Sequence, residues 1–99
     1  MYKIYIVSTT FDQELKCDEL AKAVLDLKLC ACCQVSKIRS LYHWKSKLNN
    51  EIEFKLECKT LKKNELLDYI KNNHTYDLPE IMIQELETTE DYYNFVKGD

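Results

Sequence analysis

The chain has 99 residues, with 14 Lys+Arg against 17 Asp+Glu for a formal charge of −3, five cysteines, one Gly and one Pro. That length supports one domain, residues 1–99, with a modest core. The slight acidic excess excludes the clustered basic surface of a nucleic-acid binder, and no run of about 18 apolar residues is present to span a membrane as a helix.

Tyr2 to Thr9 is rich in β-branched and aromatic residues and reads as a strand. Both its faces, Tyr2/Ile4/Ile6/Ser8 and Lys3/Tyr5/Val7/Thr9, are largely apolar, which places it centrally with cover on both sides. Thr10 to Gln13 has the spacing of a capping box, with Asp12 a competing N-cap, so a helix is expected to follow. Leu15, Leu20, Ala21, Val24 and Leu25 recur at helical spacing and predict an end near Lys28.

Cys30 to Trp44 lacks helical periodicity and carries strand formers. Glu51 to Lys59 alternates cleanly, with Ile52, Phe54, Leu56 and Cys58 on one face and charged residues on the other. Lys45-Ser46-Lys47 and Asn49-Asn50 both offer turns that would join the two as a hairpin. Lys62 to Asn73 places Leu66, Leu67 and Ile70 at helical spacing, and residues 74–80 form a polar connector whose exit Pro79 fixes. Ile81 to Leu86 is a fourth strand, and Thr88 or Thr89 can cap a short last helix holding Tyr92, Tyr93, Phe95 and Val96.

The order β-α-β-β-α-β-α predicts an α+β, ferredoxin-like sandwich with a four-stranded antiparallel sheet and a short C-terminal helix. A strand from Cys30 to Trp44 would extend about 45–50 Å at ~3.3 Å per residue, well beyond a 100-residue core with a radius of gyration of about 13 Å. The β2–β3 hairpin must therefore bend or project, carrying Leu41, Tyr42 and Trp44 with it. Leaving those residues wet is costly, so a homo-oligomer is expected.

Five cysteines cannot all pair within one chain. Met1 leads straight into strand formers, without the basic and apolar regions of a secretory signal, so the expected setting is the reducing cytoplasm. Strand periodicity puts Cys30 and Cys32 on one face and Cys33 on the other, leaving Cys30 and Cys32 as two soft ligands for Cu(I) or Zn. The alternative is that these thiols are small buried hydrophobes.

Taken together, the residues resemble the CutA family, the small proteins named for divalent-cation tolerance. The resemblance spans nearly the whole chain. It rests on Val7-Ser8-Thr9-Thr10, Leu29-Cys30-Ala31-Cys32, Ser40-Leu41-Tyr42-His43-Trp44-Lys45-Ser46-Lys47, Glu53 with Lys59-Thr60, His74-x-Tyr76-x-x-Pro79-Glu80-Ile81, and Asp91-Tyr92. It implies a ferredoxin-like protomer in a homotrimer whose hairpins pair with neighbouring subunits. It also implies copper or other divalent-metal binding in some members, and architectural kinship with the PII signalling trimers. Several positions depart from the family pattern. Ser8 stands where some members have Cys, and Asn73 where some have a second His. Ser36-Lys37 replaces a Pro-Gly and is one residue short, which could remove a bulge. Ser46 replaces a turn Gly, so Asn49-Asn50 could take over the turn.

His74 is the first metal candidate, because neutral imidazole is a common ligand; the alternative is a structural histidine bonded to backbone. Cys32 and Glu80 would complete a metal set, and His43 is a runner-up. Tyr42, Trp44, Tyr76 and Pro79 are expected at an interface or ligand cleft, where aromatics concentrate. Lys47 and Lys59 together could attract an anion, or be a solvated polar face. Cys32 with His74 as nucleophile and base lacks an orienting partner and an oxyanion hole, so no enzymatic activity is expected. The functional expectation is a trimeric protein of the metal-ion response. A PII-like regulator binding a small anion between subunits, or a structural trimer with incidental metal affinity, are the alternatives.

Overall fold

A computed structural model describes residues 1–98; Asp99, the end of the single domain read from the sequence, lies outside them. The elements are β1 (Tyr2–Phe11), α1 (Glu14–Asp26), β2 (Cys32–Trp44), β3 (Lys47–Thr60), α2 (Lys63–Asn73), β4 (Ile81–Thr88) and α3 (Glu90–Lys97). One antiparallel sheet runs in the order β2-β3-β1-β4, the ferredoxin-like arrangement expected from the element order.

The core forms where α1 and α2 cover one face of the sheet. Val7 and Phe11 of β1, with Leu56 and Cys58 of β3, meet Cys17, Leu20, Ala21 and Val24 of α1 and Leu66 and Ile70 of α2. Lys59 alternates with the core-facing Cys58, and its ammonium sits 5.8 Å from the ring centroid of Tyr92 on α3. The third helix therefore lies on the opposite face of the sheet, where it buries Val96. Ile4, Ser8 and Thr10 are buried along with Val7 and Thr9, so β1 is covered on both sides.

One local boundary departs from the sequence reading, and the hairpin settles two points that it left open. The first strand continues through Thr10 to Phe11, so Thr10 is a strand residue rather than a cap, and Gln13 takes the N-cap position without a side-chain bond. Sheet pairing of Thr10 with Lys55 and Phe11 with Phe54 outweighs the local capping signal. The hairpin turn stays at Lys45-Ser46, both left-handed at φ 52° and 64°, while Asn49 and Asn50 pair with Tyr42 and Leu41 inside the ladder. With neither turn residue a Gly, each pays about 1–2 kcal/mol of left-handed strain, and the unbroken ladder beside it holds the register. That ladder runs from Cys32↔Lys59 to Trp44↔Lys47 without a slipped pair, so the lost Pro-Gly leaves no bulge.

At the end of α1, Lys28 is left-handed at φ 57°. Its amide donates to the Leu25 carbonyl at 3.0 Å and the Leu29 amide to that of Val24 at 2.9 Å, a Schellman closure with Lys where Gly is usual. The last helix starts at Thr89, whose Oγ1 accepts from the Tyr92 amide at 3.2 Å, and ends at left-handed Gly98. The hairpin gives the molecule its length, 46 × 25 × 21 Å.

Candidate functional site

A cleft of about 690 Å³ opens beside the distal hairpin, between β2, β3 and the 74–80 connector. Thr10, Ser40, Leu41, Tyr42, Trp44, Tyr76 and Leu78 wall it, and Asp12, Glu51, Glu53, Asp77 and Glu80 supply its charge. Among the described residues no Lys or Arg lines it.

Antiparallel alternation builds the wall. The Tyr42 hydroxyl donates to Glu51 Oε2 at 2.9 Å, and the Tyr76 hydroxyl donates to Glu53 Oε2 at 3.0 Å. Burial first, and the Glu53 bond second, push the Tyr76 phenol above its ordinary pKa, so it remains a donor throughout the physiological range. The glutamate at its side is thereby held in one orientation as an acceptor.

His74 fastens the connector to the sheet. Its Nδ1 accepts the Tyr76 amide at 3.0 Å, which puts the ring proton on Nε2, 2.9 Å from the Thr10 carbonyl. The ring stacks on Phe11 at 4.2 Å and 4°. Burial lowers its pKa, keeping it neutral. Both nitrogens are thus engaged: a metal at Nδ1 must displace the Tyr76 amide, and one at Nε2 the bond to the Thr10 carbonyl.

The residues singled out in the sequence are distributed as follows. Tyr42, Trp44, Tyr76 and Glu80 meet at the cleft; Pro79 is half-buried next to it and directs the chain into β4. Lys47 is at the hairpin tip opposite Trp44, whereas Lys59 is at the far end of β3 opposite Cys32 and donates to Gln34 Oε1 at 2.7 Å. They are twelve positions apart along β3, about 40 Å at ~3.3 Å per residue, so they do not form one anion site within a chain. His43 is exposed opposite Leu48.

Cys32, His74 and Glu80 are not brought together. Among the described residues, the one set of three or more His, Cys, Asp or Glu ligand atoms that converges is Cys30, Cys33 and Cys58, all within 4.8 Å of one another. The facing expected for these cysteines is corrected. Cys30 precedes the strand, so strand alternation does not reach it, and pairing with Cys58 turns Cys33 to the core face and Cys32 away. The signal that could have found the pair is the Cys-x-x-Cys spacing of Cys30-Ala31-Cys32-Cys33.

Comparisons agree with the fold and the resemblance. The family described as CutA1 divalent ion tolerance protein matches residues 5–99. A probable divalent-cation tolerance protein cutA homolog of Encephalitozoon cuniculi is 30% identical over 95 residues, covering 94% of this chain and 83% of that protein. The divalent-cation tolerance protein CutA of Escherichia coli (strain K12 / DH10B) is 35% identical over 81 residues, 79% of this chain and 72% of that one. The structure of the PII-like protein CutA from Nostoc sp. PCC 7120 superposes with a TM-score of 0.89 at 26% identity, covering 95% of this chain and 94% of that chain. With the sheet order, the long hairpin and the connector motif all in place, the chain belongs to the CutA1 divalent ion tolerance family.

Proposed function

We propose that the protein is a non-catalytic homotrimer of the cytoplasm that binds a divalent metal ion, copper among the candidates, as part of the response to such ions. The cleft carries this reading. Five carboxylates around a partly apolar floor, with no cation among the described lining residues, create a field that draws in divalent cations and repels small anions. The same composition disfavours the regulator of an anionic metabolite, although the PII-like architecture of the Nostoc relative keeps a regulatory readout in view.

The assembly is supported by what the single chain leaves wet. Trp44 is 53% exposed, and Leu41, Tyr42, Leu48 and Ile52 are exposed on the same hairpin, with Met82, Ile83 and Leu86 on the edge strand β4. Exposed apolar surface of this extent marks a protein–protein contact, and a second chain over the hairpin would close the cleft and bring further ligands to Glu51, Glu53 and Glu80.

Sedimentation equilibrium tests the assembly, with a mass of three chains expected and a monomer at micromolar concentration refuting it. Isothermal titration with Cu(II) and Zn(II) tests the cleft. Saturable binding that weakens in Glu53→Gln and Glu80→Gln is expected; binding indifferent to both substitutions removes the cleft as the site.

A further inference from the structure

Three thiols meet beneath α1, away from the cleft. Cys33 Sγ lies 3.5 Å from Cys30 Sγ and 3.6 Å from Cys58 Sγ, and also approaches the Ala21 carbonyl at 3.8 Å. Cys58 is fully buried, Cys30 is 9% exposed, and Cys33 is half-buried, so one member of the set faces an entry route. None of the three is in a disulfide.

The backbone holds this arrangement in place. The Ala31 amide donates to the Lys59 carbonyl at 2.9 Å, and the Thr60 hydroxyl donates to the Leu29 carbonyl at 2.7 Å. Cys30 is therefore clamped between two bonds to the end of β3, and Cys33 and Cys58 are directly opposed in the ladder. Ligand atoms fixed by separate elements of the fold are the preorganisation that a metal site requires.

We propose that Cys30, Cys33 and Cys58 form an all-sulfur site for one soft monovalent metal ion, Cu(I). Bonds of about 2.3 Å from a three-coordinate ion to sulfur set the sulfurs about 4.0 Å apart. The Cys33 sulfur needs to part from each neighbour by only a few tenths of an ångström to receive it, and all three sulfurs already lie within 4.8 Å of one another. Thiolate sulfur selects soft ions, and among the described residues no fourth His, Cys, Asp or Glu joins the set. That count suits a three-coordinate d¹⁰ ion and leaves tetrahedral Zn(II) one ligand short.

The protons balance simply. Cys33 Sγ is within hydrogen-bond range of both Cys30 Sγ and Cys58 Sγ, so the three thiols hold their protons in one shared cluster. Cu(I) then displaces a proton from each sulfur that binds as thiolate, with no change of oxidation state. The site shares no residue with the carboxylate cleft, so the two readings stand or fall separately.

The test uses the full chain, reduced and anaerobic, titrated with Cu(I) in competition with a chromogenic Cu(I) chelator. One Cu(I) per chain is expected, with copper-edge X-ray absorption showing only sulfur neighbours at about 2.3 Å. Because even outer-shell changes cost 10–100-fold in metal affinity, Cys33→Ala and the volume-matched Cys58→Val are each expected to weaken binding at least ~100-fold. Cys32→Ser is expected to keep it. Circular dichroism of each variant establishes that it is folded, and half-buried Cys33 gives a variant that disturbs the core less than one at fully buried Cys58. Nitrogen or oxygen neighbours, no saturable binding, or affinity unchanged in folded Cys33→Ala overturns the proposal. Loss of Cu(I) binding with Cu(II) binding intact in the cleft, or the reverse, tells which of the two sites has failed.

Discussion

Two fully buried threonines, Thr9 and Thr60, are predicted to respond to the same substitution with opposite signs. Thr60 is 1% exposed, and its hydroxyl donates to the Leu29 carbonyl and accepts from the Lys62 amide, both at 2.7 Å. Valine keeps the shape but leaves both backbone groups without that partner. With about 1 kcal/mol net per bond and a further penalty for groups left buried, Thr60→Val is expected to destabilise by about 2–3 kcal/mol. Thr9 is 0% exposed, and its Oγ1 has no hydrogen-bond partner among the described residues. Removing that orphaned hydroxyl relieves a desolvation cost, so Thr9→Val is expected to stabilise by about 1 kcal/mol. For a domain of this size the melting temperature should rise by about 4–8 °C in the first-strand variant and fall by at least twice that in the other. Thermal and urea unfolding at one fixed protein concentration measure both, since assembly makes melting concentration-dependent. Shifts of the same sign would refute the hydrogen-bond accounting, whatever their size.

Lys28→Gly is expected to stabilise by about 0.5–1 kcal/mol, the relief of left-handed strain less the entropy of Gly, whereas Lys28→Ala gives no gain; equal melting shifts would remove strain as the cause. Replacing Lys45-Ser46 with Asn-Gly suits a hairpin turn with two left-handed residues and should slow amide exchange at Trp44 and Lys47, the hydrogen-bonded pair that flanks it, with unchanged protection counting against the turn geometry. His74 has a pKa lowered by burial, so the unfolded chain binds its proton first and the stability it contributes is present above about pH 6.5 and lost as pH falls below that value. His74→Gln should flatten this part of a stability–pH profile, and an unaltered slope just below about pH 6.5 would assign it to another group.

The fold was legible because periodicity is long-range information written locally. Ile52, Phe54, Leu56 and Cys58 can share a face only in a strand, and the helix of Leu20, Ala21 and Val24 supplies the surface to cover it. Boundaries were less legible, since Thr10 carries a capping pattern that pairing with Lys55 overrides. The cleft was half visible. Its aromatics and Glu80 stand in recognisable motifs, but Asp12, Glu51 and Asp77 are common surface residues until the hairpin and the connector converge. Lys47 and Lys59 looked like a pair only because sequence reading did not weigh the length of the strand between them.

The cysteines show why facing is the hardest property to read. A period-two rule applied from Cys30 pairs it with Cys32, but the strand begins only at Cys32, and the bend at Ala31 resets the phase. Register with Cys58 then decides which thiol enters the core, and that partner lies 25 residues away. The consequence is chemical. Carboxylates gather at one end of the hairpin and sulfurs at the other; Glu51 and Cys58 are seven residues apart on β3, about 23 Å at ~3.3 Å per residue. Oxygen ligands favour harder ions and thiolates favour softer ones. A single strand thus carries both ends of a hard–soft scale, too far apart to share an ion. If both proposed sites take their ions, occupancy of one end need not displace the other, and titrations with divalent and monovalent metal should saturate independently.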